Sequence, residues 1–297
     1  MHRIRVGVIR GGPSNEYDNS IKTGSIVLNN LSQEKYSLRD IFIDKNGQWN
    51  MHGLSVLPYD VLNHIDIVFN SLHGDYGEDG KIQHVLESHG IPFTGSGSFS
   101  SMIGMNRLLT KDIYKKYNIK SPRFKLIDIM HNIKEIVLNI FHSFPLPVII
   151  KPAISNNDLG ITIVKDFDSI ENAVNFARKY HDKIFVEEYI IGKEASVGII
   201  DNFREQDYYA LPAFGELNFD EKKDIEKLAI DAHKALGLRH YSNSNFIIHP
   251  RRGAFIIDTN VLPKFHDNTP IRHSMERVGV SVSHFLDHII ELALSKK

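Results

Sequence analysis

A glycine-rich polar loop directly after a short apolar run is the feature of this sequence that most constrains its fold. Residues 65–69 read Ile-Asp-Ile-Val-Phe, and residues 70–83 read Asn-Ser-Leu-His-Gly-Asp-Tyr-Gly-Glu-Asp-Gly-Lys-Ile-Gln. Glycines at this density permit positive φ angles and close approach of the backbone. Polar groups at the C-terminal end of a strand in an open α/β sheet lie where small ligands bind. The segment therefore predicts a ligand-binding loop, although such a stretch taken alone is more often a solvated surface turn.

Charge, cysteine content and hydropathy exclude several classes of protein. The 297 residues include 35 basic and 36 acidic ones, so the basic excess typical of nucleic-acid-binding proteins is absent. The sequence has no cysteine, which excludes disulfides, thiolate metal sites and a cysteine nucleophile. No apolar run approaches the ~18 residues of a membrane span, and the first strand turns into glycine too early for a signal peptide. We therefore expect a soluble cytoplasmic protein that binds small molecules and neither nucleic acid nor a membrane.

The first part of the chain alternates apolar runs with amphipathic segments and glycine turns. Strands are predicted at residues 5–9, 38–44, 65–69 and 91–94, and a helix is predicted at residues 80–88. Alternation of this kind is typical of a small parallel-sheet domain.

Beyond residue 95 the pattern changes, because the predicted strands alternate in the manner of antiparallel sheets. Residues 98–117 are predicted to form a helix. The strands predicted in this part lie at residues 123–127, 148–151, 161–164, 185–189, 195–200, 244–248 and 254–258. Residues 251–253, Arg-Arg-Gly, are predicted to form the tip of a hairpin between the last two strands. The whole chain is thus predicted to be mixed α/β.

A lysine that ends an apolar strand is a candidate phosphate-binding group. Lys151 follows Val-Ile-Ile, and the polar loop at residues 155–160 comes soon after it. A point charge beside a flexible loop suits nucleotide phosphates, although a lysine in this position is often a solvated strand end. Glu187 and Glu188 stand beside apolar residues further on, a pattern that suits adenine and ribose.

Three oxygen-bearing side chains form a candidate metal site. Asp258 and Asn260 are two residues apart on one predicted strand and therefore lie on the same face. Asn245 lies on the partner strand of the same hairpin. Carboxylate and amide oxygens suit Mg²⁺, which binds one or two carboxylates together with substrate phosphates. Asparagine at a strand end is, however, more often a turn former.

Taken in chain order, these segments resemble the D-alanine–D-alanine ligases of the ATP-grasp superfamily over essentially the full sequence. The family's Gly-Gly-x-Ser-x-Glu-x-x-x-Ser is similar to residues 11–20, and its His-Gly-x-x-Gly-Glu-Asp-Gly-x-x-Gln matches residues 73–83 at every defined position. Its Gly-Ser-Gly, Ser and Met-Asp-Lys elements are similar to residues 95–97, Ser101 and residues 105–107.

The resemblance implies an α/β fold of ATP-grasp architecture. A Rossmann-like N-terminal domain at residues 1–95 would bind substrate, and two mixed α+β domains at residues 96–183 and 184–297 would enclose ATP. It also implies a reaction in two steps. The carboxylate of one D-alanine takes the γ-phosphoryl group of ATP, and the amine of a second D-alanine attacks the acyl phosphate. Mg²⁺ as cofactor, a place in peptidoglycan precursor synthesis and a homodimer are implied in the same way.

The resemblance further assigns roles to individual residues. Glu16, Ser20 and His73 would hold and orient the first amino acid, and Thr269 would meet the carboxylate of the second. Arg107 and Lys151 would contact phosphates. Glu187 and Glu194 would contact adenine and ribose, with Tyr189 and Ile190 as apolar walls. The metal-ligand positions are occupied by Asn245, Asp258 and Asn260.

The chain departs from the family pattern close to the chemistry. Asn243 stands where an arginine would stabilise the tetrahedral intermediate, a kind of donor whose loss costs roughly 10²–10³ in rate. Asn245 replaces an aspartate, and Asp258 replaces a longer glutamate. Lys264 replaces a glycine whose N–H lies near the developing oxyanion.

Two loops depart as well. Asp158 places a negative charge in the predicted phosphate loop, which is unfavourable beside phosphates. Residues 200–212 are too few for the long loop that closes over the substrates in the family, and without a lid water reaches the acyl phosphate more easily.

Three interpretations remain open at this stage. The chain is a divergent ligase for D-alanine or related amino acids, or an impaired relative that acts as a binding or regulatory protein, or a ligase with a different second substrate. In the third case Lys264, Arg272 and the shortened loop would remake the second-substrate site.

Overall fold

Three β-sheets, each packed against helices, organise the chain. A computed structural model describes residues 3–128, 132–153 and 160–295. No helix within these ranges is long and apolar enough to cross a membrane.

The first region runs from residue 3 to residue 95 and forms a five-stranded sheet. Its elements are β1 (Ile4–Gly11), α1 (Tyr17–Asn30), β2 (Tyr36–Ile43), β3 (Trp49–Met51), β4 (Leu54–Ser55), α2 (Pro58–Leu62), β5 (Ile67–Asn70) and α3 (Lys81–Ser88). The strand order is β4-β3-β2-β1-β5, with β2, β1 and β5 parallel.

The predicted parallel sheet is confirmed for β2, β1 and β5, and the sheet continues at one edge with the antiparallel strands β3 and β4. The chain reverses after β2 in a tight turn, in which the Asp44 carboxylate accepts hydrogen bonds from the N–H groups of Asn46 and Gln48. Such a turn is too short for the crossover that a parallel neighbour requires. The strand predicted at residues 91–94 is absent, since this segment forms only an isolated parallel bridge between Val68 and Phe93.

The second region contributes a four-stranded antiparallel sheet of order β6-β9-β7-β8. Its elements are α4 (Ser98–Met105), α5 (Arg107–Lys116), β6 (Phe124–Asp128), α6 (Ile133–Ser143), β7 (Val148–Pro152), β8 (Thr162–Val164), α7 (Ser169–Ala177) and β9 (Lys183–Glu188). Strand β9 completes this sheet at the place where the third domain was expected to begin, and the domain limits themselves stay predictions.

The single helix predicted at residues 98–117 is divided in two. Asn106 has an extended backbone, and its side chain accepts hydrogen bonds from the N–H groups of Leu108 and Leu109 at 3.1 and 3.2 Å. An asparagine in this arrangement is an N-cap, so α5 begins as a separate helix at Arg107.

The third region forms an antiparallel sheet of order β11-β10-β12-β13. Its elements are β10 (Lys193–Phe203), β11 (Gln206–Ala210), α8 (Phe219–Ala235), β12 (Tyr241–His249), β13 (Gly253–Asn260), α9 (Pro270–Arg277) and α10 (Val282–Ser295). The hairpin predicted around residues 251–253 is confirmed, and its register places Asn245 opposite Asp258.

A tight hairpin occupies most of residues 200–212, the segment that the sequence predicted to be too short for a long loop. Phe203 pairs with Gln206, so β10 and β11 are joined by Arg204 and Glu205 alone, both with positive φ. Two residues of this kind form a hairpin turn whose twist matches that of the strands. The connection therefore lies at the edge of the third sheet and cannot extend over a neighbouring cavity.

The first and third sheets share one hydrophobic core. Val6, Val8 and Phe69 of the first sheet belong to the same buried cluster as Phe265 and Phe285. The ring centroid of Phe265 lies 6.3 Å from that of Phe69 and 5.5 Å from that of Phe285, so aromatic contacts run continuously from one sheet to the C-terminal helix.

The second sheet has a core of its own. Its buried cluster includes Ile136, Ile140, Val148, Ile150, Val174 and Val186. Helices α4 and α5, although they precede this sheet in the chain, pack on the other side, because Ile103 and Tyr114 belong to the core shared by the first and third sheets.

Candidate active site

The start of helix α1 and the loop after β5 bring together a cluster of polar side chains, here called the N-terminal pocket, whose members are Glu16, Ser20, Thr23, His73 and Glu78. Glu16 is the N-cap residue of α1. Its carboxylate accepts a hydrogen bond from the Asn19 amide at 2.6 Å and forms an ion pair with Lys264 at 2.5 Å. Burial tends to raise the pKa of Glu16, but the hydrogen bonds from Lys264 and Asn19 outweigh it and lower the pKa.

A glycine lets the two segments of this pocket approach each other. Gly74 has φ +77°, and a Cβ atom on it would lie 3.0 Å from Ser14 Oγ and 3.2 Å from Glu16 Cγ. Its neighbour His73 accepts a hydrogen bond at its carbonyl oxygen from Ser14 Oγ at 2.5 Å. The glycine-rich loop singled out in the sequence therefore packs directly on the start of α1.

Two of the predicted substrate-binding residues are buried beneath this surface. Ser20 is 0% exposed, and its Oγ accepts a hydrogen bond from the Gly11 N–H at 2.7 Å. His73 is 1% exposed, and its Nε2 lies 2.8 Å from Thr23 Oγ1. Both side chains hold the two loops together, while Glu16 is the partly exposed charged group of the pocket.

A cavity of about 330 Å³ lies between the second and third sheets and is here called the central cavity. Its lining residues come from α4, α5, both sheets and the loop after β5: Glu78, Gly104, Met105, Arg107, Thr110, Lys111, Ile149, Lys151, Ile161, Glu187, Ile257, Asp258, Thr259, Asn260 and Val261. The structure thus brings together Arg107, Lys151, Glu187, Asp258 and Asn260 among the residues that the sequence predicted.

A buried group of two ammonium ions and one carboxylate forms part of the cavity wall. The Glu187 carboxylate is 1% exposed and forms ion pairs with Lys111 and, at 2.5 Å, with Lys151. Burial tends to raise the pKa of Glu187, but the two ammonium groups outweigh it and lower the pKa. Burial lowers the pKa of Lys111 although the ion pair opposes this.

Lys111 was missed in the sequence analysis. It lies four residues after Arg107 on α5, so both side chains are on one face of the helix. That spacing was a visible signal, because a second basic residue on the face of a predicted phosphate contact points into the same site.

Asp258 is the one carboxylate among the three predicted metal ligands. Its Oδ1 accepts a hydrogen bond from the Asn245 amide at 2.8 Å, and Asn243 donates weakly to Asn245 at 3.4 Å. The nearby protein atoms partly desolvate the Asp258 carboxylate, which raises its pKa. The Asn245 hydrogen bond and the charges of Lys151 and Arg107 oppose this rise. The carboxylate still faces the open cavity, since the residue is exposed there.

These donors fit one divalent cation rather than a cage of ligands. Asn260 Oδ1 already accepts a hydrogen bond from the Leu262 N–H at 2.8 Å. Within the described ranges, no group of three or more histidine, aspartate or glutamate side chains could hold a metal ion. Mg²⁺ is commonly held by one or two carboxylates with the rest of its shell from water and phosphate, and Asp258 meets that requirement.

Other predicted residues lie outside the central cavity. Ile190 is 4% exposed and Tyr189 is half-buried, and neither lines the cavity. Glu194 is exposed and lines a second cavity of about 290 Å³, which shares Ile257 with the first. Thr269 is the residue before the first turn of α9, and its hydroxyl donates to the His266 carbonyl at 2.8 Å instead of capping the helix.

Residues 155–159 of the predicted phosphate loop, with Asp158, lie outside the described residues.

Glu78 is the residue that links the two sites. Its carboxylate accepts hydrogen bonds from the Gly74 N–H at 3.3 Å and contacts His73 Nδ1 at 3.4 Å, and the residue also lines the central cavity. A ligand in the N-terminal pocket and a ligand in the central cavity would therefore be neighbours. The sequence contained this residue in its glycine-rich loop, but no spacing rule indicated which of the acidic side chains in the loop turns inward.

Two protein-family models match parts of this chain. The one described as D-ala D-ala ligase N-terminus matches residues 55–96, and the one described as D-ala D-ala ligase C-terminus matches residues 113–211.

Curated proteins match the chain along its whole length. A D-alanine--D-alanine ligase of Clostridium beijerinckii is 28% identical over 312 residues, covering 98% of this chain and 99% of that protein. The vancomycin/teicoplanin A-type resistance protein VanA of Enterococcus faecium is 29% identical over 350 residues, covering 99% of each.

Solved structures match in fold. The D-alanine--D-alanine ligase from Bacillus anthracis complexed with ATP has a TM-score of 0.82 at 27% identity, covering 98% of this chain and 97% of that one. The D-alanine-D-alanine ligase from Coxiella burnetii has a TM-score of 0.88 at 23% identity, covering 99% and 96%. The expected ATP-grasp architecture is thereby confirmed.

Proposed function

The chain belongs to the D-alanine–D-alanine ligase family, and on that premise we propose that it is an ATP-dependent carboxylate–amine ligase. It activates the carboxylate of D-alanine, or of a related compound, as an acyl phosphate. The amine of a second D-alanine or related amino acid then attacks this intermediate and releases phosphate.

The charge arrangement of the central cavity is the observation that carries the proposal. Arg107, Lys111 and Lys151 line it together, and Glu187 is the counter-charge of the two lysines. Phosphoryl transfer needs positioning and cationic neutralisation of the phosphates more than covalent chemistry from the protein. Three basic side chains in one cavity between two sheets supply both.

The position of the N-terminal pocket supports a carboxylate as the group that accepts the phosphoryl group of ATP. Glu78 contacts the loop of His73 and also lines the central cavity, so a carboxylate held near Glu16 would lie beside the phosphate-binding groups. Holding two reactants next to each other converts a bimolecular step into an intramolecular one, which is a large part of the rate gain in ligases.

One Mg²⁺ ion would be held by Asp258 together with nucleotide phosphates. The ion would neutralise phosphate charge during transfer. The Asn245 amide would have to turn its oxygen toward the ion, because its nitrogen faces Asp258. The residues therefore suit one ion better than two.

The same proposal includes a cellular role and an assembly state. The dipeptide would serve as a peptidoglycan precursor made in the cytoplasm, and the enzyme would act as a homodimer. Light scattering on the purified protein measures the second point directly, and a monomer at micromolar concentration would contradict it.

Two observations favour an alternative in which the chain binds substrates but ligates them slowly or not at all. Asn243, whose side chain accepts a hydrogen bond from Ser196 Oγ at 3.0 Å, stands where an arginine would stabilise the tetrahedral intermediate. The two-residue turn between β10 and β11 supplies no lid. Both features reduce stabilisation of the transition state without closing the binding sites.

The deciding experiment measures ADP release from the purified protein with ATP, Mg²⁺ and D-alanine, and ATP binding by calorimetry. Release that depends on D-alanine supports ligation, whereas ATP binding without such release favours the alternative. Absence of ATP binding would overturn both. Lys151→Met should abolish ATP binding, while Lys125→Met, on the same sheet but exposed and bonded to Asn139 and Ser143, should leave it unchanged.

A further inference from the structure

A lysine of the third region occupies the charged position of the N-terminal pocket. Lys264 Nζ lies 2.5 Å from Glu16 Oε2, and the Asn19 amide lies 2.6 Å from the same oxygen. The side chains are 27% and 22% exposed, so the contact is largely shielded from solvent. The Glu16 carboxylate is therefore already neutralised by an ammonium group that belongs to the protein.

The backbone around Lys264 is fixed by its neighbours. Pro263 is buried on one side, and Phe265 is 0% exposed on the other, with its ring against Phe69 and Phe285. A charged group carried on an ordered segment loses little entropy when it makes its contact. The ammonium group is thus built into the pocket rather than carried on a loose chain.

An amino acid that presented its α-ammonium to Glu16 would have to displace Lys264. A tethered group competes at an effective concentration in roughly the millimolar range or above. Holding both cations at one carboxylate is also unfavourable, since like charges within a few ångströms repel. An acid with an uncharged α-substituent meets neither obstacle, and its carboxylate is attracted by Lys264.

We propose that Lys264 determines the specificity of the first-substrate position, so that the pocket selects a carboxylic acid with an uncharged α-substituent, such as an α-hydroxy acid, over the corresponding α-amino acid. The inference rests on the proposed function for the assignment of the Glu16 pocket to the activated acid. D-alanine enters this position only at concentrations high enough to displace the lysine.

Two ligands that differ in one group test the inference. D-lactate carries a hydroxyl group where D-alanine carries its ammonium group, and calorimetry in the presence of ADP and Mg²⁺ compares their affinities. We expect the wild-type protein to bind D-lactate at least about tenfold more tightly than D-alanine, which corresponds to one charge-assisted hydrogen bond. Lys264→Gly should increase the affinity for D-alanine by about tenfold or more and reverse the preference.

Two further variants distinguish the effect of the Lys264 charge from general effects of substitution on the fold. Lys264→Met keeps the apolar stem and removes the ammonium group, so it should increase the affinity for D-alanine as Lys264→Gly does. Lys35→Met breaks the surface ion pair with Asp287 and should leave the preference unchanged. A wild-type preference for D-alanine, or a change below about twofold in both Lys264 variants, would overturn the inference.

The products of turnover distinguish this inference from the proposed function. With ATP, D-lactate and D-alanine at equal concentrations, mass spectrometry reports the ratio of lactyl-alanine amide to alanyl-alanine. We expect this ratio to fall by about tenfold in Lys264→Gly. Turnover with an unchanged ratio overturns the inference alone, while a reversed binding preference without any turnover supports it and overturns ligation.

Discussion

The N-terminal pocket and the central cavity are built on different kinds of interface. The pocket stands on the hydrophobic core that the first and third sheets share, and its buried members Ser20 and His73 are held by hydrogen bonds. The cavity lies between that core and the separate core of the second sheet. Across it, Lys111 on α5 forms an ion pair with Glu187 on β9.

This difference indicates which of the two sites already has its final shape before a ligand binds. A pocket fixed by close packing has one arrangement, because cores of this density do not deform continuously. Two packed bodies joined mainly through polar groups can change their separation, as in domain closure around a ligand. We therefore expect the N-terminal pocket to be preformed. We expect the central cavity to tighten when nucleotide phosphates take the place of the Glu187 carboxylate beside Lys111 and Lys151.

Removing Phe285 should have the largest effect, because its ring packs against Tyr241 of the third sheet and against Phe265, which in turn contacts Phe69 of the first sheet. Phe285→Ala is expected to lower the free energy of unfolding by about 3–5 kcal/mol. Hydrogen exchange should become faster in both β1 and β12. Ile150→Ala, in the core of the second sheet, should cost about 2–5 kcal/mol and accelerate exchange in β7 and β9 only. Equal acceleration in all three sheets by either variant would contradict the separation between the core of the second sheet and the core that the first and third sheets share.

The ion pairs of Glu187 give the second largest effect. Glu187→Gln leaves two buried ammonium groups without a counter-charge, which is expected to cost about 3 kcal/mol in urea unfolding because the open cavity admits some water. Glu188→Gln is the matched control on the same strand, since its partner Arg252 is 42% exposed at the side chain. Its cost should stay at or below about 1 kcal/mol. Similar costs for the two variants would show that the cavity lysines find other partners.

The same carboxylate predicts an acid dependence. The pKa of Glu187 is lower in the folded protein than in the unfolded chain, so its contribution to stability is complete above the unfolded value of about 4.3 and is lost as the pH falls through the folded value. Urea midpoints measured between neutral and acid pH should therefore fall less steeply in Glu187→Gln than in the wild type. Parallel pH curves would contradict this assignment.

The hydrogen bond beneath the N-terminal pocket gives a smaller effect. Thr23→Val keeps the shape of the side chain and leaves Nε2 of the buried His73 without its partner, at a cost of about 1–3 kcal/mol. Since the pocket is preformed, we expect affinity for the acid substrate to fall while ATP affinity stays unchanged. Calorimetry with each ligand measures both. Loss of ATP affinity instead would mean that the two sites are not built independently.

The smallest expected effect concerns the metal position. Asn245→Asp replaces an amide donor by a second carboxylate beside Asp258, so the variant without metal should lose up to about 1 kcal/mol through like-charge repulsion. Mg²⁺ should then stabilise the variant more than the wild type in thermal unfolding. Asn50→Asp, on strand β3 of the first sheet, is the control and should show no added response to Mg²⁺. Equal stabilisation of the wild type, Asn245→Asp and Asn50→Asp by Mg²⁺ would contradict metal binding at Asp258.

The sequence predicted the elements of the sites better than their partners. The loop at residues 73–83 was found because its glycines and acidic residues follow an apolar strand, and the 2.8 Å contact of Asn245 with Asp258 follows from the hairpin register. The pairing of Lys111 with Glu187 was not found, because it joins a helix to a distant strand. The Asn106 cap was a readable signal that was overlooked.

The shared core could not be predicted for a related reason. Alternation in β1 shows that Val6 and Val8 are buried on one face, but periodicity does not show what covers that face. The cover includes Phe265 and the helix α10 from the far end of the described chain. Likewise, nothing in the residue type of Lys264 indicates that its ammonium group meets Glu16 in another region.

The place of α10 has a consequence for how this protein is made on the ribosome. Helix α10 contacts both α1 and β5, and both are translated well before it, since β5 ends at Asn70 and α10 begins at Val282. At about 5–20 residues per second, the apolar face of the first sheet waits on the order of tens of seconds for this cover. During that interval the nascent chain exposes an apolar surface, which makes the first region a natural client of chaperones that act beside the ribosome.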